Sequence, residues 1–148
     1  MTRRIRRAVL GAALSTLATA GLVAGTAGTA HAAGPVYAVQ LNWVNIMNNQ
    51  DNNSVDEMYI KVNGSTVWGP RDVPYNTPQN LNVLLPRTFY FDNVTPLKVE
   101  FWDQDPARDD RVGTITLTGA VPNVGANGVE LSGNDGRYAV YYTVTQIA

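Results

Sequence analysis

An all-β sandwich of seven or eight strands is the fold this sequence predicts, and three observations predict it. Short β-prone runs recur from position 36 to position 147, separated by clusters of Gly, Pro and Asn. Asn63-Gly64 joins two of those runs in the way a tight hairpin requires. No segment sustains a helical period bounded by caps.

Taken in order, Val36 to Ile46 alternates well enough for a half-buried strand, with Val39, Leu41 and Trp43 on one side and Gln40 and Asn42 on the other. Asn48 to Ser54 is polar throughout and reads as a loop. Met58 to Val62 and Ser65 to Trp68 flank Asn63-Gly64, whose residues tolerate the two positive φ angles of a type I′ turn. Three prolines between Gly69 and Pro78 exclude a central strand there and predict an exposed loop. Leu81 to Leu85 and Thr88 to Phe91 predict one interrupted or two short strands around Pro86, and Leu97 to Phe101 alternates into the next. Thr114 to Thr118 follows, then a Gly/Asn/Pro-rich connection from Gly119 to Gly136 and a closing strand from Tyr138 to Ile147. Trp43, Trp68, Tyr90, Tyr138 and Tyr142 are expected in the core or on sheet faces, because each has a large area to bury.

The N-terminal segment stands apart. Arg3, Arg4, Arg6 and Arg7 precede an Ala/Leu/Val/Gly/Thr run that ends in Ala30-His31-Ala32, the pattern of a removed signal peptide over residues 1–32. A secreted, extracellular product is expected, with Sec and twin-arginine export both open because Arg6-Arg7 precedes an apolar run. Residues 33–148 then form one domain carrying 12 acidic and 7 basic side chains, a net charge of −5. That charge disfavours nucleic acid and anionic membrane as partners. The chain has no Cys, and its one His, His31, lies in the signal segment. Thiol and imidazole nucleophiles and the usual zinc, copper and iron ligand sets are therefore excluded from the domain.

What remains is carboxylate chemistry, and Glu100 to Gly113 concentrates it. Asp103 and Asp105 are two residues apart, so extended backbone would send both side chains to one face, and Asp109 and Asp110 return on the other arm. Arg108 and Arg111 answer only part of this charge. The loop residues fit two readings: a calcium site built from hard oxygen donors, or a solvated acidic turn.

Two stretches together resemble the C2 domain family. They are Asp51 to Val62, with Glu57-Met58-Tyr59-Ile60-Lys61-Val62 entering a strand from an acidic loop, and Phe101-Trp102-Asp103-Gln104-Asp105 through Asp110-Arg111-Val112-Gly113. The resemblance implies an antiparallel Greek-key sandwich with Ca2+ held between loops at one end. It implies Asp51, Asp103, Asp105 and Asp110 as metal ligands. The family's Asp at the start of the strand falls on Glu57 without a gap or on Asp56 with a shift of one residue, and a third loop one residue short leaves Asp109 competing with Asp110.

The leading expectation is thus a secreted, non-enzymatic calcium-binding domain. A carbohydrate- or protein-binding module using an aromatic sheet face is the second, distinguished by an exposed aromatic row. A two-carboxylate glycosidase is the third, disfavoured because the acids cluster in one loop and a small domain has little room for a cleft. Membrane docking is disfavoured because the expected loop tips carry almost no apolar residue to insert.

Overall fold

The computed structural model describes residues 34–48, 55–120, 122–133 and 136–148. The predicted signal segment and Asp51 lie outside the described residues. Two antiparallel sheets pack face to face, as the alternating sequence predicts. The five-stranded sheet contains β1 (Tyr37–Asn48), β4 (Gln79–Asn80), β5 (Thr88–Phe91), β8 (Gly125–Ser132) and β9 (Arg137–Gln146). The four-stranded sheet runs β3-β2-β6-β7, with β2 (Val55–Val62), β3 (Ser65–Pro74), β6 (Leu97–Asp103) and β7 (Asp110–Leu117). The chain changes sheet after β1, β3, β5 and β7, and β9 returns to lie beside β1.

The core lies between the inner faces, where Val39, Leu41, Val44 and Ile46 of β1 meet Met58, Ile60, Val99, Phe101 and Val112 of the opposite sheet. The hairpin between β2 and β3 forms as predicted, with φ of +47° at Asn63 and +82° at Gly64.

Four local expectations are corrected. First, β1 does not alternate cleanly. A register shift between Leu41 and Trp43 makes Asn42 an extra residue, so Leu41 faces the core and Trp43 faces solvent. Second, the proline-rich segment after Trp68 is strand as far as Pro74. It lies at the edge of its sheet, where missing N–H donors cost no ladder bonds, and it bulges at Gly69, whose φ is +79° and where a Cβ would meet the Met58 carbonyl. Third, Leu81–Leu84 is a single helical turn, α1, that buries only Leu81. Fourth, the glycine-rich stretch before Gly136 contains β8, which is held by register pairing along its whole length to β9.

Gly113 is required by packing within a strand. It sits within β7 opposite Phe101, and a Cβ there would lie 2.7 Å from the Cβ of Leu131 on β8. The two sheets close on each other at that point, and only hydrogen fits. Replacing Gly113 with Ala should therefore destabilise the protein by about 1–3 kcal/mol, the usual cost of overpacking, read as a lower denaturant midpoint with an unchanged slope.

Candidate metal centre

The strand register decides where each acid goes. Asp103 is paired with Met58 on one side and Asp110 on the other, and directly paired residues in antiparallel strands share a face. Met58 is fully buried in the core, so Asp103 and Asp110 also point inward. Asp56, two residues before Met58, shares that face, and Asp56 and Asp103 are each only 1% exposed. The backbone N–H of Gln104 donates to the Glu57 carbonyl at 3.0 Å and continues the ladder one step beyond Asp103, which brings half-buried Asp105 level with Asp56.

Tyr138, at the start of β9 in the opposite sheet, completes this end of the sandwich. Its hydroxyl donates to Asp56 Oδ2 at 3.0 Å. Burial pushes the tyrosine pKa well above its ordinary value, and the negative charges of Asp56, Asp103 and Asp105 push it further. One hydroxyl thus feels three carboxylates, which places their field at the mouth of the core. The sequence placed Tyr138 as a core or sheet-face aromatic but gave no sign of this partner. The signal that could have found it is a tyrosine at the first inward position of a strand leaving the acidic end, where its ring fills core and its hydroxyl must find an acceptor.

Other predicted site residues are turned away. Glu57 is exposed on the outer face, where it is paired with Asp72 and borders a surface depression that Arg71, Gln104 and Asp105 also line. Asp109 is exposed and accepts a hydrogen bond from the Tyr59 hydroxyl at 2.8 Å, also on the outer face. The inner group is therefore Asp56, Asp103 and Asp110, with half-buried Asp105 at its rim beside the depression that Glu57 borders. Among the described residues, no three carboxylates come together closely enough to form a finished metal cage.

Arg111, expected to offset the acidic loop, lies outward instead. Its guanidinium stands 5.9 Å above the Trp102 ring and 3.5 Å from Glu100 Oε1. The Trp102 ring stacks on Tyr59, and the Lys61 ammonium lies 4.6 Å from its centroid. Lys98 Nζ approaches Glu100 Oε1 at 2.8 Å and holds the Glu100 carboxyl below its ordinary pKa against the opposing effect of burial, with Arg111 assisting.

No family model matches the chain, and no curated protein matches it. Among solved structures, it is similar to a C2 domain at 17% identity over 75% of this chain and 98% of that one, with a TM-score of 0.44. It is similar at 14% identity to a C2 domain of a plant extended synaptotagmin 1, over 79% of this chain and 98% of that one, with a TM-score of 0.44. A calcium-bound structure of the two C2 domains of extended synaptotagmin 2 is similar at 12% identity, over 78% of this chain and 47% of that one, with a TM-score of 0.41.

Two outcomes test these contacts. Tyr138→Phe keeps the ring but deprives buried Asp56 of a donor, so unfolding in EDTA should become easier by about 1–3 kcal/mol. The depressed pKa of Glu100 gives stability that is present above the ordinary glutamate value of about 4.3 and is lost as pH falls through the lower folded value. Glu100→Gln should therefore lie below the native protein in melting temperature at neutral pH and converge with it in acid.

Proposed function

We propose that this protein is a secreted, non-enzymatic, calcium-binding β-sandwich of C2-like type, with the ion held at the acidic end by Asp56, Asp103, Asp105 and Asp110. The observation that carries this reading is the burial of Asp56 and Asp103 at 1% exposure on one inner face, with Asp110 in register opposite Asp103. Carboxylates of like charge resist convergence and desolvation, and a divalent cation offsets both costs. All the donors are hard oxygens, which suit calcium with its roughly 6–8 oxygen ligands. The described acids form part of that number, and the remaining ligands come from outside the inner group, with Asp51 the first candidate from the motif resemblance. Export follows from the signal-like residues 1–32, and the absence of His and Cys from residues 33–148 supports a binding role over nucleophilic catalysis.

Extracellular calcium sites bind at about 0.1–1 mM, a range that suits a structural clamp. At calcium about tenfold above Kd, linkage adds about 1.4 kcal/mol, which raises the melting temperature by roughly 3–6 °C for a domain of this size. Melting in EDTA, calcium and magnesium should show that rise with calcium, and the double variant D103N/D105N should lose it. An equal rise in the double variant, or none in the native protein, would remove the acidic end as a calcium site.

A further inference from the structure

The five-stranded sheet has a second surface, unlike anything at the acidic end. Its outer face shows Trp43, Tyr90 and Tyr141 at 40%, 60% and 51% exposure. Trp43 and Tyr141 are register partners on adjacent strands, so their rings are neighbours on one face. Tyr141 is also paired with Gly128 on β8, and a Cβ at Gly128 would lie 3.1–3.2 Å from the edge of its ring. The missing side chain lets the ring lean over β8 and keep its other side open to solvent. Tyr90 is paired with Ala38, five residues before Trp43 on β1, roughly 15 Å away at a strand rise of about 3.3 Å per residue.

Between these aromatic ends lies a floor of amides and hydroxyls. Gln40, Thr88, Thr143 and Thr145, together with Ala38 and Ile147, line a depression of about 320 Å³ next to Tyr90. Asn42, the extra residue that turned Trp43 outward, donates from Nδ2 to Thr143 Oγ1 at 2.8 Å and leaves that hydroxyl's own proton to donate elsewhere.

The charge pattern selects the occupant. β1, β4, β5, β8 and β9 together contain two charged residues, Glu130 and Arg137, and these form an ion pair of 3.1 Å. The strands of the other sheet carry Asp56, Glu57, Arg71, Asp103 and further charges, so the neutrality belongs to this sheet and not to the chain as a whole. A face whose strand charges neutralise each other matches an uncharged ligand. Exposed aromatic rings need flat apolar faces to stack on, while the amides and hydroxyls need partners that donate and accept. A strand of β-1,4-linked neutral sugar offers both, because its equatorial hydroxyls project from the ribbon edges and its ring faces carry C–H groups. A lipid surface would leave the polar floor unsatisfied, and an acidic or basic polymer would find no countercharge.

We infer that the outer face of the five-stranded sheet, from Trp43 and Tyr141 to Tyr90, binds a neutral β-1,4-linked polysaccharide chain. This site is independent of the calcium proposal and is tested separately from it. The full protein is mixed with microcrystalline cellulose, and depletion from solution is measured in calcium and in EDTA. Trp43→Ala and Tyr141→Ala should each weaken retention about tenfold with unchanged melting, and Tyr141→Phe, which keeps the ring, should retain it. Gly128→Ala should weaken retention by displacing the Tyr141 ring. Retention should be the same in EDTA. The inference is overturned by absence of retention, by retention that survives both alanine variants, or by retention that EDTA abolishes. It is equally overturned if sedimentation shows a dimer disrupted by Trp43→Ala while cellulose is ignored, since the face would then belong to a second copy.

Discussion

Desolvation of two carboxylates is the constraint around which the loop end of this sandwich is arranged. Asp56 and Asp103 point inward because the register that buries Met58, Ile60 and Phe101 leaves them no other face. Slipping that register by one residue would free the acids and expose the core instead. The apolar faces outweigh two carboxylates, so the strands hold and the acidic end must accommodate the charge. Tyr138 does part of this from the opposite sheet through its hydroxyl. The contact gives the end of the sandwich a polar link between its two layers.

The two sheets divide the chemistry. One carries nearly all the charge of the strands, with Lys61, Arg111 and Lys98 disposed around Trp102 and Glu100 on its outside and the aspartates on its inside. The other is almost free of charge and shows aromatic rings over amides and hydroxyls. The calcium and polysaccharide sites proposed above therefore lie at different places in the sandwich. The long closing strand reaches both: Tyr138 points into the acidic end, and Tyr141, three residues on, points out of the opposite face.

Much of this was legible in the sequence, and the failures share a cause. The Asn63-Gly64 hairpin and the long first and last strands are local signals, and each has its structural counterpart. The side on which Trp43 lies was not legible, because one inserted residue, Asn42, reverses the alternation and no local preference marks it. β8 was missed because its glycines argue against a strand until β9 supplies the hydrogen-bonding partner and Tyr141 covers Gly128. The sequence left Asp56 and Glu57 as alternatives, and Asp109 and Asp110 likewise. In each case it is cross-strand register that turns one side chain in and the other out. The role of Gly113 depends on Leu131, a contact between sheets that adjacent residues cannot announce.

The pairing of β1 with β9 has a consequence in time as well as in space. Asn42 and Thr143 are 101 positions apart, and the strands that contain them form the middle of their sheet. Closing so long a loop is costly in entropy before any contact rewards it, so folding dominated by such pairings is slow. The hairpin of β2 and β3 can form early, but the five-stranded sheet has no centre until the last strand arrives. A growing chain would therefore keep this sheet open until β9 is made, and a chain cut short before β9 would lack the partner on which both β1 and β8 depend.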